Sequence, residues 1–291
     1  TINTTRPHKV KSLTNVTQIS AGGANTLIAL KEDGTIWQWG WNMEGWIGEN
    51  SDTPYQTIPV QKLGISNIAE LSKSGRTSMV LKNDSTVWAW GNNYYGQLGI
   101  GVSGWETSDS IPSQVLNLTN IKYIASGGGF PIVVKNDGTI WTWGYNSKGQ
   151  LGDGTTTWRS IPVQVTGLTN VIKTAGGIDH SLALKDDGTV WGWGYGIYGE
   201  LGSNGVNMYN LIPVQINDLT NIIDISAGCN FSLALKDDGT VWGFGKNNDG
   251  QLGIGNTNLT NSIPTQVVGL TNITNISAGV YHSVALKNDG T

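Results

Sequence analysis

One phrase, Lys-x-Asp-(Gly/Ser)-Thr, occurs six times at a nearly constant interval along the 291-residue chain. Its copies begin at Lys31, Lys82, Lys135, Lys185, Lys236 and Lys287, which places them 51, 53, 50, 51 and 51 residues apart. Repetition at this period indicates a repeat architecture, in which each unit buries its faces against its neighbours. We therefore expect one domain over residues 1–291, built of repeats of about 51 residues.

Each repeat contains signals for about four short strands. Leu-Ala-Leu-Lys and Thr-Val-Trp-Gly-Trp are rich in strand-forming residues, and the Asp-Gly between them is typical of a tight hairpin. A Gly-(Gln/Glu)-Leu-Gly box and an Ile-Pro-x-Gln phrase follow, and the proline favours an edge strand because it cannot donate a backbone hydrogen bond. Modules of four strands that recur every fifty residues predict an all-β fold, a β-propeller of four-stranded blades.

The Trp-x-(Trp/Phe) pair of each repeat places two aromatic rings on one side of a strand, since side chains alternate along it. We expect these rings to pack between blades. The first ring of each pair is predicted to be largely buried at Trp88, Trp141, Trp191 and Trp242.

The chain contains about six repeats, which we expect to form five complete blades and one split or partial blade. It closes at Asn288-Asp289-Gly290-Thr291, within a hairpin whose second strand would read Val-Trp-x-Trp-Gly. A hairpin without its return strand leaves unpaired backbone groups, which proteins normally avoid. The sequence is therefore expected to be truncated at its C-terminal end, as a segment of a longer propeller.

Composition argues against several classes of function. Charged residues make up 13% of the chain and its net charge is −4, with no run of Lys or Arg, so nucleic acid is not expected as a partner. The sequence contains no stretch of 18 apolar residues, so membrane insertion is not expected. The lone Cys229 excludes an intrachain disulfide, and no Cys or His pair has zinc-ligand spacing, so neither metal nor cofactor is expected.

Motifs that suggest chemistry have simpler interpretations within the repeat. Residues 194–199 match G-x-G-x-x-G, but they run into this repeat's version of the Gly-Gln-Leu-Gly box rather than into a helix. His180 and His282 share a repeat position with Phe130 and Phe231, which favours packing. The recurring Asp of each Asp-Gly phrase is a turn residue. No nucleophile–base arrangement is evident, and no enzymatic activity is predicted.

Aromatic residues outside the Trp-x-Trp motif are the candidates for binding. They lie in loops after the Trp strand, where sister repeats carry Asn, Ser, Lys or Asp. Tyr and Trp are favoured at binding hot spots, and variable loops on a rigid scaffold often carry function. The candidate residues are Trp41, Trp46, Tyr94, Tyr95, Trp105, Tyr145, Trp158, Tyr195, Tyr198 and Tyr209.

The order Asp-Gly-Thr-Val-Trp-x-Trp-Gly, Gly-Gln-Leu-Gly, Pro-x-x-Val resembles the regulator-of-chromosome-condensation repeat over essentially the whole chain. The resemblance implies a β-propeller with seven blades in the intact parent. Its members include a nucleotide exchange factor for a small GTPase, ubiquitin-ligase modules, an ultraviolet photoreceptor and a β-lactamase inhibitor. The chain lacks a basic tail and the photoreceptor's repeated Gly-Trp-Arg-His-Thr, of which residues 157–160 are a partial echo. Dense Asn and Thr and near-identical repeats are most similar to bacterial members, which favours a secreted or cell-surface location.

These observations predict an interaction module that binds a protein, peptide or glycan through aromatic loops on one face. An exchange-factor-like or enzyme-inhibitor propeller is the alternative. An enzyme with its site at the mouth of the central channel is a further alternative, which convergent acids or histidines in one loop set would favour.

Overall fold

The computed structural model describes residues 8–10, 13–22, 25–42, 47, 54–202 and 208–291. Within these ranges the secondary structure is almost entirely strand, with one 3₁₀ turn at Trp105–Thr107 and no α-helix. The same residues accordingly contain no helix of the length and apolarity that a membrane crossing requires. The strands form five antiparallel sheets of four strands and one of two, so the predicted all-β, bladed fold is confirmed.

Each sheet takes its strands in chain order from one repeat. The first three sheets are made of β1 (Val16–Gly22), β2 (Thr26–Lys31), β3 (Ile36–Trp41), β4 (Tyr55–Gln61); β5 (Ile68–Ser74), β6 (Thr77–Lys82), β7 (Val87–Gly91), β8 (Asp109–Gln114); β9 (Ile121–Ser126), β10 (Pro131–Lys135), β11 (Ile140–Gly144) and β12 (Arg159–Gln164). The others are made of β13 (Val171–Gly176), β14 (His180–Lys185), β15 (Val190–Tyr195), β16 (Tyr209–Gln215); β17 (Ile222–Ala227), β18 (Phe231–Lys236), β19 (Val241–Lys246), β20 (Thr260–Gln266); β21 (Ile273–Ala278) and β22 (Ser283–Lys287).

The first strands of successive sheets lie against one another, β1 on β5, β5 on β9, and so on to β21. They therefore surround the axis, and the fourth strand of each complete blade is its outer edge. That edge carries the Ile-Pro-x-Gln phrase, as its proline predicts.

The Asp-Gly hairpins share one hydrogen-bond pattern. In the first, Asp33 Oδ1 accepts from the backbone N–H of Thr35 at 3.0 Å and from its hydroxyl at 2.6 Å. The same hydroxyl oxygen accepts from Trp37 Nε1 at 3.2 Å. These bonds explain why Asp, Thr and Trp recur together, and they confirm the recurring aspartates as turn residues.

The burial predicted for the first ring of each pair is found in part, since these rings pack against the core clusters between blades but keep some exposure to solvent. Trp88, Trp141, Trp191 and Trp242 are half-buried, because each donates its indole N–H to a hairpin threonine beside solvent. The second ring is the buried one. Trp90, Trp143, Trp193 and Phe244 are fully inaccessible to solvent.

These second rings insert into the preceding blade. Trp143 packs among Met79, Leu98 and Val115 of the second blade, and its Nε1 donates to the carbonyl of Gln97 at 2.9 Å. A Cβ on Gly99 would lie 2.8 Å from that same nitrogen, so the last glycine of the Gly-Gln-Leu-Gly box is required by the incoming indole.

The turn between the first two strands of a blade also requires a glycine, because a ring packs directly against it. The ring of Phe130 lies against Gly127 and that of His180 against Gly177, where a Cβ would come within 2.2 Å of the ring. His180 is buried and hydrogen-bonds to Ser232 Oγ at 3.1 Å, as expected for a packing histidine. His282 has the same contact with Gly279 but is exposed, since it directly precedes β22 of the two-stranded sheet.

Truncation of a second ring is expected to cost far more than truncation of a first ring. Trp143→Ala should lower the free energy of unfolding by about 3–5 kcal/mol because it leaves a large cavity, whereas the half-buried Trp141→Ala should cost about 1–2 kcal/mol. Urea unfolding of both variants measures the difference. Equal losses would contradict the assignment of Trp143 as the inter-blade ring.

The pH dependence of stability tests the buried histidine. Burial lowers the pKa of His180 to about 4 from an ordinary value of 6.5. Its contribution to stability is therefore complete above pH 6.5 and is lost as the pH falls towards 4. His180→Phe, which copies Phe130 and Phe231, should unfold like the wild type at pH 7.5 and be more stable by about 2 kcal/mol at pH 4.5. Parallel pH profiles of stability for the two proteins would refute this.

Candidate functional site

The loops that follow the third strand of each blade emerge on the same face as the turns between the first and second strands. The backbone shows this directly: Tyr145 N donates to the carbonyl of Gly129 at 3.0 Å, and Tyr195 N donates to that of Asp179 at 2.8 Å. The Asp-Gly hairpins lie at the other ends of these strands. The aromatic loops and one mouth of the central channel therefore share a face, which we call the loop face.

Buried amides hold these loops in place. Asn93 Oδ1 accepts from Leu98 N at 2.9 Å, and Asn146 Oδ1 accepts from Leu151 N at the same distance. Gln97 Oε1 accepts from Tyr95 N at 2.8 Å. Sequence reasoning did not single out these asparagines, although their recurrence two residues after the Trp-strand glycine was a usable signal.

Five of the candidate residues form one contiguous cluster, the five-ring cluster: Tyr94, Tyr95, Trp105, Tyr145 and Trp158. Its ring centroids are 4.5 Å apart between Tyr94 and Trp105 and 4.7 Å apart between Tyr95 and either Tyr145 or Trp158. The cluster bridges the second and third blades. The exposed fraction of the residue is 62% for Trp105 and 41% for Trp158, so these two residues of the cluster face solvent.

Three more candidates form a second group on the fourth blade. The ring centroid of Tyr195 lies 5.7 Å from that of Tyr209 and 6.2 Å from that of Tyr198. Lys148 of the third blade covers two of these rings, with Nζ 5.6 Å from the Tyr195 centroid and 5.2 Å from that of Tyr209, and it donates to the Tyr209 hydroxyl at 3.3 Å. Lys148 was missed from sequence, although its repeat position holds tyrosine at Tyr95 and Tyr198.

The remaining two candidates stand apart from these groups. Trp41 of the first blade has the guanidinium of Arg76 4.9 Å from its ring centroid. Trp46 lies outside the described residues.

The mouth of the channel on this face is a depression of about 500 Å³. Glycine-rich turns line it, together with Lys73, Arg76 and Cys229, and none of its described lining residues is Asp, Glu or His. Among the residues that the structure describes, no three potential metal-binding side chains lie together. The convergent acids or histidines that would favour an enzyme are not found at the described part of this mouth.

A buried carboxyl lies beneath the second aromatic group. Glu200 occupies the Gln position of the repeat box, and its Oε2 accepts from the backbone N–H of Tyr198 at 2.8 Å. Burial raises its pKa to about 7. In the preceding blade, Gln150 at the same position donates to Asp179 Oδ1 at 3.1 Å.

A family model described as the RCC1-like domain matches residues 1–291. The chain belongs to the RCC1-like domain family. The predicted resemblance to the regulator-of-chromosome-condensation repeat is thereby confirmed at the level of the family.

Named relatives of this RCC1-like domain come from several eukaryotes. It is 31% identical over 274 residues to the Arabidopsis thaliana ultraviolet-B receptor UVR8, covering 91% of the chain and 61% of the receptor. It is 27% identical over 253 residues to Schizosaccharomyces pombe protein pim1, covering 85% of the chain and 40% of that protein. These relatives give no support to the predicted bacterial type.

Solved structures show the same fold. The chain superposes on human WBSCR16 with a TM-score of 0.87 and 22% identity, covering 97% of this chain and 77% of the other. It superposes on Prp20p of Saccharomyces cerevisiae, described with its binding to Gsp1p and histones, with a TM-score of 0.81 and 24% identity, covering 94% and 70%.

Neutralising the buried carboxyl should stabilise the domain at high pH. Because the pKa of Glu200 is raised on folding from 4.5 to about 7, stability is unaffected below pH 4.5 and falls as the pH rises towards 7. Glu200→Gln should therefore gain about 1–3 kcal/mol at pH 8 and nothing at pH 4.5, measured by urea unfolding.

The reverse change is the matched control. Gln150→Glu buries a second carboxyl beside Asp179 and should destabilise the domain at pH 8. A Glu200→Gln variant with no gain at pH 8 would show that this carboxylate is stabilised by its surroundings.

Proposed function

We propose that this chain is an interaction module, and that it binds a partner protein through the aromatic residues of the loop face. The convergence of eight candidate aromatics, from the loops and from the adjoining strand ends, into two groups on that face is the observation that carries the proposal. Tyr and Trp bring large contact area with few rotatable bonds, which is why they dominate binding hot spots.

The surroundings of the rings support a protein partner. The loops rest on buried amides, so little ordering of the chain is needed on binding. The exchange-factor-like and inhibitor alternatives also place a protein on the propeller, so both fall within this proposal. A peptide is the minimal form of such a partner, and a glycan is the competing ligand for the same rings.

The class of partner, the activity and the location of the protein are also predicted from its sequence. The chain's net charge of −4 continues to favour a protein over a nucleic acid. The absence of enzymatic activity, the seven-bladed parent and the cell-surface location each remain predictions.

A triple substitution on the loop face tests the proposal. Trp105→Ser, Trp158→Ser and Tyr209→Ser together remove three exposed rings and should spare the fold, which thermal melting verifies. In affinity capture with quantitative mass spectrometry, proteins held by the wild type should be depleted about tenfold or more, since such anchors contribute over 1 kcal/mol each.

The matched control carries Ile172→Ser and Ile223→Ser, which remove exposed apolar side chains near the start of β13 and β17, on the opposite face. It should capture the same proteins as the wild type. If the loop-face variant captures them equally well, or the control alone loses them, the interaction does not use the loop face.

A further inference from the structure

We infer that the five-ring cluster receives a cationic side chain, arginine or lysine, from a basic segment of the partner. This inference rests on the proposed function and specifies the chemistry of the partner. It follows from the distribution of cations over the aromatic rings of the loop face.

Outside the five-ring cluster, each of the predicted candidate aromatics that the structure describes is covered by a cation of the chain itself. Arg76 lies over Trp41, Lys148 over Tyr195 and Tyr209, and Lys246 over Tyr198, with Nζ 5.6 Å from the last centroid. The face of an aromatic ring is electronegative and attracts a cation within about 6 Å of its centroid.

The five-ring cluster differs in this respect. In the part of the chain that the structure describes, no Lys or Arg lies over any of its rings. The arginine that follows Trp158 is engaged elsewhere, because Arg159 Nη2 is 2.7 Å from Asp153 Oδ2 and its Nε donates to the same oxygen at 2.8 Å. Trp158 instead donates its indole N–H sideways, to Ser147 Oγ at 3.0 Å.

The charge around the cluster is complementary to a cation. Glu106 is exposed on the 3₁₀ turn directly after Trp105. Two tryptophans, the strongest cation–π acceptors, provide the most exposed rings of the cluster.

A cationic side chain also fits the charge beside the five-ring cluster better than an apolar side chain would. Among the described residues Glu106 has no ion-pair partner, and an apolar side chain would leave it without one, whereas a guanidinium can stack on an indole while it donates hydrogen bonds to a carboxylate. The chain's own Lys and Arg side chains thus cover the other described candidate rings of the loop face, whereas none covers the five-ring cluster.

The test compares two tripeptides of nearly the same shape, of which one carries a positive charge and the other is neutral: acetyl-Gly-Arg-Gly-amide and acetyl-Gly-citrulline-Gly-amide. The indole N–H signals of Trp105 and Trp158 are followed by ¹⁵N-edited NMR during titration, and the buried Trp143 and Trp193 serve as internal references. The shift of the two exposed indoles per unit concentration should be at least about threefold larger with the arginine peptide, as expected for an exposed cation–π site.

Variants locate the effect. Trp105→Leu and Trp158→Leu should each reduce the preference for arginine, and Glu106→Gln should weaken it, while Tyr209→Leu, whose ring already lies under Lys148, should preserve it. Equal shifts from the two peptides, no shift from either, or a preference that persists in Trp105→Leu and Trp158→Leu would overturn the inference.

Failure of this inference can be distinguished from failure of the proposed function. If the peptides are not distinguished but the triple loop-face variant still loses its captured partner, the loop face binds protein by apolar or hydrogen-bonding contacts. If that variant captures its partner normally, the proposed function fails whatever the peptides do.

Discussion

The insertion of one aromatic ring into the preceding blade is the contact on which the rest of the structure depends. Trp143 and Trp193 fill the spaces between adjacent sheets, and each donates its indole N–H to a carbonyl of the preceding blade at 2.9 Å. A four-stranded sheet has two faces to bury and cannot do so alone, so its stability comes from its neighbours. The glycines of the repeat follow from this packing, since a Cβ on Gly99 or Gly152 would collide with the incoming indole.

The inner strands are joined in a second way. Gln18 Oε1 accepts from Leu71 N at 3.1 Å, and Glu70 Oε2 accepts from Ile124 N at 3.3 Å, so side chains at one repeat position link successive blades. Further round the channel this position forms an ion pair between Lys173 and Asp224. Burial raises the pKa of Glu70 to about 7. The repeat thus tolerates different polar residues wherever each finds a partner.

A scaffold fixed by these contacts leaves the loops after the third strand free to vary. In the second, third and fifth blades a buried asparagine makes the same hydrogen bond to the loop backbone, while the residues around it differ from blade to blade. This division places rigid aromatic anchors on a preorganised base, an arrangement that favours binding because little conformational entropy is lost. The opposite face carries Lys–Asp pairs such as Lys31 with Asp33, which are exposed and contribute little to stability.

The amino-acid sequence by itself determined the bladed all-β fold, the turns and the edge strands, because each depends on local chemistry that recurs every fifty residues. Asp-Gly turns, alternating aromatics and the edge-strand proline are short-range signals. The sequence also identified which aromatic residues leave the repeat pattern. It could not decide which tryptophan of each pair is buried, since alternation places both on one side of the strand. That choice depends on how far the neighbouring blade extends along the strand and on the threonine that holds Trp141 near solvent. Likewise, the grouping of Tyr94 with Trp158, the placement of Lys148 over Tyr195 and the uncovered five-ring cluster were decided by tertiary structure, because they join residues of different blades.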